Sequence, residues 1–204
     1  MSKQKITIID TGVANLSSVY FAMQRLDADC IISAEATDIR NADKLILPGV
    51  GSAVAAMAAI RERHLDELIR DVKQPLLGIC LGMQMLAAES EESMNDGAAK
   101  VDCLGLVDGR VRLMQVPGLV LPHMGWDQVE HDGSCPLFKD IPSGAYFYYV
   151  HSYALDVTAH TAATTEYGVK FTAVVNRDNF FGTQFHPEKS GPTGHKLLKN
   201  FLDL

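Results

Sequence analysis

The sequence predicts an α/β protein: a mostly parallel, doubly wound sheet flanked by helices, with additional antiparallel strands in the second half. Three features lead there. Through residues 6–88, short apolar runs of strand type alternate with segments of helical period, which is the rhythm of βαβ units. Two of those runs, 30–32 and 44–47, are apolar at successive positions, as expected of strands covered by helices on both faces. From about Gly97 onward, Val, Thr, Phe and Tyr gather in short segments separated by turns, the texture of strands that pair antiparallel.

In chain order, residues 6–10 read as a first buried strand. The turn Thr11-Gly12 follows, and then a helix whose Leu16, Val19, Tyr20, Met23 and Leu26 keep helical spacing. Strands at 30–32 and 44–47 come next, the latter closed by Pro48-Gly49-Val50-Gly51. An alanine-rich helix is expected over 52–63 and another over 65–73. Residues 75–79 form the central strand and 83–88 a helix. Candidate strands in the second half are 107–113, 126–129, 146–151, 163–167, 171–176 and 180–185. An amphipathic helix over 194–202 turns Leu197, Leu198, Phe201 and Leu202 inward. With no repeat, low-complexity tract or flexible linker, residues 1–204 are expected to form one domain.

The composition excludes several classes. A 47% hydrophobic, 21% charged chain is that of an ordinary globular protein. No apolar run reaches membrane-spanning length and no secretory core follows Met1, so a cytoplasmic location is expected. A net charge of -7 without a basic block argues against nucleic acid or an anionic membrane as partner. Cys30, Cys80, Cys103 and Cys135 lack C-x-x-C spacing, so neither a zinc site nor a disulfide framework is expected. Without a phosphate-binding glycine motif, no nucleotide cofactor is implied.

Chemistry concentrates in two stretches. In Gly78-Ile79-Cys80-Leu81-Gly82 a cysteine stands between a strand and a helix, with glycine two residues away on each side. A nucleophile on a sharp strand-to-helix turn needs such small neighbours, and a helix start favours thiolate over thiol. The competing reading is a buried core cysteine. The second stretch is Gly182-Thr183-Gln184-Phe185-His186-Pro187-Glu188. Proline holds His186 extended, so that residues 186 and 188 are expected to point the same way and to supply a base with its orienting carboxylate. An oxyanion hole would come from the N–H of Leu81, next to the nucleophile, and from the 48–51 loop.

Together these two motifs resemble the class I (triad) glutamine amidotransferases, which hydrolyse glutamine through a cysteine thioester. Further matching segments are Pro48-Gly49-Val50-Gly51-Ser52, Pro122-His123-Met124-Gly125-Trp126, Tyr149-Val150-His151-Ser152-Tyr153 and Glu188-Lys189-Ser190-Gly191. The resemblance implies Cys80 as nucleophile, His186 as base and acid, and Glu188 as its orienting partner. Val50 and Leu81 would supply the oxyanion N–H groups. Gly51, Gln84, Glu92, Ser152 and Tyr153 would line the glutamine pocket, with Glu92 meeting the substrate ammonium. Asn15, Trp126 and Lys189 would face a partner. The motifs fill the chain, so the resemblance implies that a separate cyclase subunit takes the ammonia. One departure is Asp127, where the branch of the family that the chain resembles usually has asparagine after the tryptophan. Two rival readings stand beside this one: a self-sufficient cysteine hydrolase on a related sheet, and a non-catalytic subunit that keeps the fold.

Overall fold

The computed structural model describes residues 4–12, 15–92 and 100–204. Gly97, where the change of texture begins, lies outside them. The first half consists of β1 (Lys5–Ile9), α1 (Leu16–Arg25), β2 (Asp29–Ser33), α2 (Ala36–Asn41), β3 (Lys44–Gly49), α3 (Ala53–Glu62), α4 (Leu65–Asp71), β4 (Leu76–Cys80) and α5 (Leu81–Leu86). The second half adds β5 (Glu89–Ser90), β6 (Val101–Asp102), β7 (Arg110–Leu113), β8 (His123–Val129), β9 (Ala145–His151) and β10 (Tyr153–Leu155). It ends with β11 (Thr161–Tyr167), β12 (Val169–Arg177), β13 (Phe180–Thr183) and α6 (Gly191–Leu202).

The main sheet runs β11-β12-β13-β4-β3-β1-β2. Its five strands from β13 to β2 are parallel, while β11 and β12 join antiparallel. A four-stranded sheet (β10-β7-β5-β6) and the β8-β9 ribbon lie apart from it. The mixed α/β architecture expected from the sequence is therefore the one observed. Apolar side chains bury on both faces of the sheet. Ile6, Ile8, Met23, Phe147, Phe185 and Phe201 fill one core, and Ile9, Leu45, Leu47, Ile60, Met83 and Leu86 fill the other.

Strand β3 is buried at every position, as its apolar run predicts. The same expectation fails for residues 30–32: Ile31 and Ile32 are 45% and 40% exposed. The reason is position, since β2 is the edge of the main sheet and pairs only with β1. No helix among the described residues is long and apolar enough to cross a membrane.

Parallel register decides what meets at the strand ends. Gly49 at the end of β3 is level with Cys80, and Thr183 at the end of β13 is level with Ile79. Three adjacent strands thus deliver the 48–51 loop, the cysteine and the segment leading to His186 to one edge. That edge, beyond the carboxyl ends of parallel strands, is where open α/β sheets hold ligands.

Candidate active site

Cys80 ends β4 and caps α5 with φ 53° and ψ -111°. Such a backbone costs a non-glycine residue about 1–3 kcal/mol and persists only where its surroundings impose it. The glycine frame imposes it by close approach. A Cβ on Gly82 would sit 1.8 Å from the Leu47 carbonyl oxygen of β3, and one on Gly78 would sit 2.7 Å from the Met83 nitrogen. Helix α5 is therefore pressed onto the sheet, with the sulfur held above the strand ends.

His186 follows β13 in extended conformation, its N–H donating to the Tyr148 carbonyl oxygen of β9 at 2.9 Å. The expectation that 186 and 188 share a strand face is corrected. Residues Pro187–Lys189 form a short 3-10 turn, and the turn swings the carboxylate back under the ring. His186 Nδ1 lies 2.8 Å from Glu188 Oε1, and the Glu188 side chain is only 4% exposed. Ser190 braces the turn: its Oγ donates to the His186 carbonyl oxygen at 2.6 Å and accepts from the Tyr148 N–H at 3.0 Å. Close approach of α6 completes the support, since a Cβ on Gly194 would sit 2.0 Å from the Pro187 carbonyl oxygen.

Cys80 and His186 face each other across the same cavity. Burial by itself would lower the imidazole, but the hydrogen bonds and opposite charges of Cys80 and Glu188 outweigh it and raise His186 to about 10. Such surroundings favour the imidazolium form of His186. Burial instead raises the thiols of Cys30 and Cys103, to about 11 and about 12.

A cavity of about 340 Å³ opens over the sulfur, and every residue expected to touch substrate lines it: Gly51, Gln84, Glu92, Ser152 and Tyr153, together with Val50, Leu81, Cys80 and His186. The two neighbouring acids part company. Glu91 faces outward to Arg112 at 3.1 Å, whereas Glu92 turns inward and accepts the Ala53 N–H at 2.8 Å. Burial raises the Glu92 carboxyl, partly offset by that N–H. The Gln84 amide nitrogen is engaged internally, donating to the Tyr153 carbonyl oxygen at 2.8 Å and to Gln184 Oε1 at 2.9 Å. Gln184 and His151, which sequence reasoning passed over, both belong here. Gln184 Nε2 lies 3.7 Å from Cys80 Sγ, and His151 lines the cavity. The signal for Gln184 was a polar residue two positions before the histidine in an extended segment, hence on the same side.

Asp127 points to the inner side of β8. Its Oδ2 lies 3.3 Å from His123 Nε2, His123 Nδ1 lies 3.1 Å from His151 Nε2, and His151 Nδ1 lies 2.9 Å from the Tyr153 carbonyl oxygen. A row of polar groups thus runs from Asp127 to the cavity wall. On the outer side of the ribbon Trp126 is 54% exposed and flanked by Met124 and Tyr146, also exposed. Asn15 caps α1 without a side-chain hydrogen bond. It shares a small cleft with Val50, Glu188 and Lys189, and Lys189 also reaches the main cavity.

A cysteine on a strained strand-to-helix turn, a buried His–Glu pair beside it and a polar cavity above are the parts of a cysteine-dependent amide hydrolase of the triad type. The model of the family described as glutamine amidotransferase class-I matches residues 7–204, and the chain belongs to that family. It is a glutamine amidotransferase. Over 204 residues, covering all of both chains, it is 52% identical to the imidazole glycerol phosphate synthase subunit HisH of Vibrio parahaemolyticus. It is 54% identical to the HisH subunit of Pectobacterium atrosepticum over 200 residues, 98% of this chain and 100% of that one. The fold is shared with a glutamine amidotransferase of Thermotoga maritima, at a TM-score of 0.61 and 16% identity, covering 100% of this chain and 84% of that one. It is also shared with the PurLQS structure from Thermotoga maritima, at a TM-score of 0.72 and 18% identity over 99% of each chain.

Proposed function

We propose that the chain is the glutaminase subunit of an imidazole glycerol phosphate synthase. It hydrolyses L-glutamine to glutamate and ammonia through a thioester on Cys80 and passes the ammonia to a cyclase subunit, HisF. The cyclase uses it to form imidazole glycerol phosphate and aminoimidazole carboxamide ribotide in histidine biosynthesis. In this reading residues 1–204 act as one domain, in the cytoplasm, as one half of a heterodimer. The observation that carries it is the meeting of Cys80, His186, Glu92, Gln84 and Ser152 around one cavity.

The chemistry follows from the geometry. Glu188 accepts from Nδ1–H of His186, which leaves Nε2 for the sulfur. The thiolate attacks the carboxamide carbon of glutamine, and the carbonyl electron pair moves to oxygen, where the N–H groups of Leu81 and Val50 receive the charge. As the carbonyl re-forms, the C–N bond breaks and the nitrogen takes the His186 proton, leaving as ammonia. Neutral His186 then removes a proton from water as it attacks the thioester, and thiolate departs from glutamate. Glu92, with one oxygen committed to the Ala53 N–H, keeps the other for the substrate ammonium. The exposed Trp126, with Asn15 and Lys189 beside the Val50 loop, supports a cyclase seated where it touches that loop.

The test is glutamate release by the chain with and without the cyclase and its nucleotide ligand. Release that rises strongly in the complex and vanishes in Cys80→Ala, while the Cys80→Ala complex still makes product from ammonium salt, is the expected result. Full hydrolysis without a partner, or failure of the assembled Cys80→Ala complex on both nitrogen sources, would overturn the reading.

A further inference from the structure

We infer that Gln184 is a further catalytic residue, donating an amide N–H to Cys80 Sγ so as to steady the thiolate. This rests on the reading of Cys80 as nucleophile. Gln184 is completely buried, directly after β13, its backbone N–H tied to the Ala173 carbonyl oxygen at 2.8 Å. Its side chain reaches between two polar neighbours, Gln84 and Cys80. The end facing the sulfur is Nε2, at 3.7 Å, within the longer range of hydrogen bonds to sulfur.

The orientation of that amide is dictated from the other end. The Tyr153 carbonyl can only accept, so the amide nitrogen of Gln84 faces it, at 2.8 Å. The second hydrogen of the same nitrogen points to Gln184 Oε1, at 2.9 Å. Reversing Gln184 would set its NH₂ group against the NH₂ group of Gln84, and its oxygen against the sulfur. A donor chain thus runs from the cavity wall to the nucleophile, from Gln184 to Cys80 at one end and from Gln84 to Tyr153 at the other.

The sulfur needs the donor because another neighbour opposes the anion. The Val150 carbonyl oxygen lies 4.0 Å from Sγ, a partner for S–H but not for a thiolate. His186 and Gln184 stand against it. The remaining titratable groups around the cavity are Glu92, His151, Tyr153 and Lys189, with Glu188 behind His186.

The experiment follows alkylation of Cys80 by iodoacetamide in the full chain, read by mass spectrometry of its peptide, from about pH 5 to about pH 10, in wild type and Gln184→Met. Methionine fills the same length without a donor. The expected result is a midpoint higher by about one pH unit in the variant, with rates roughly tenfold lower below it and equal well above it. An unchanged profile, or a rate lowered equally at every pH, would overturn the inference and leave Gln184 a packing residue. If wild-type Cys80 does not react at all, the nucleophile reading itself fails, and the inference with it. A second measurement needs no change at Gln184. Its side-chain NH₂ resonances should move as Cys80 ionises and stay still over the same range in Cys80→Ala, and no movement in wild type would overturn the inference as well.

Discussion

The Glu188 carboxylate meets His186 Nδ1 with one oxygen, at 2.8 Å, while its other oxygen is buried without a hydrogen-bond partner. One oxygen therefore carries the whole interaction, and the carboxylate acts on the reaction through the ring alone. Glu188→Gln should keep part of the glutaminase rate, because an amide oxygen still accepts from Nδ1–H. His186→Ala should lose nearly as much as Cys80→Ala, since no other group passes the proton. Steady-state glutamate release from the three variants in the complex checks the ranking, and equal small losses for His186→Ala and Glu188→Gln would contradict it.

His186 is expected to hold its proton to about 10, because Cys80 and Glu188 outweigh its burial. Removing the thiolate in Cys80→Ala leaves burial opposed by Glu188 alone, and the midpoint should fall. In the double variant with Glu188→Gln, burial acts unopposed and the midpoint should drop below the ordinary value of 6.5. Imidazole carbon shifts followed through a pH titration of the three proteins give the order directly.

The buried row from Asp127 to Tyr153 makes a prediction about stability. Burial lowers His151 to about 3 despite its bond to the Tyr153 carbonyl, and lowers His123 despite Asp127. A histidine depressed on folding contributes stability that is full above its unfolded value near 6.5 and is lost as pH falls toward its folded value. The His151 site should thus weaken the folding equilibrium by up to roughly tenfold per pH unit between about 6.5 and 3. When both rings are neutral, His151 donates to Tyr153 through Nδ1, His123 donates to His151, and His123 Nε2 then faces the Asp127 carboxylate, acceptor against acceptor. Asp127→Asn replaces that oxygen with an N–H donor. It should stabilise the fold by about 1 kcal/mol at pH 8, with the gain shrinking in acid as His123 charges. Urea unfolding of both proteins at pH 8 and pH 5 measures it.

A fourth expectation concerns the loop after β3. Val50→Pro removes the N–H proposed as one oxyanion donor. In an assembled complex it should lower turnover by roughly a hundred- to a thousandfold, about 3–4 kcal/mol, with little change in glutamine binding. Turnover and KM with and without the cyclase decide it. Stimulation as strong as in wild type, or a change confined to KM, would remove the Val50 N–H from the oxyanion hole.

How much of this was legible beforehand depends on the range of the forces involved. The Cys80 turn could be read because its glycines are local, and the geometry adds only that Gly82 is required by the Leu47 carbonyl of another strand. The partnership of His186 and Glu188 was expected for the wrong local reason, a strand instead of the 3-10 turn that forms. Glu92 was singled out over Glu91 by the family resemblance alone, because both are acids in one polar run and it is the Ala53 N–H of α3 that turns Glu92 inward. Exposure of Ile31 and Ile32 was hidden for the same reason, since an edge is a property of the assembled sheet. Helix α2 escaped notice because its six residues bury only Ile39 and show no period. For Gln184 the sequence offered only its place two residues before the histidine, since its partners Gln84 and Cys80 lie about a hundred residues away.

Strand β13 slots between β4 and β12 although it is the last strand in sequence. A chain made from its N-terminus therefore carries the cysteine long before it carries the residues that arm it. Until β13 docks, β4 has an open edge, and Cys80 has neither imidazole nor amide beside it. The order of the strands thus withholds imidazole and amide from Cys80 until the event that closes the centre of the sheet brings both.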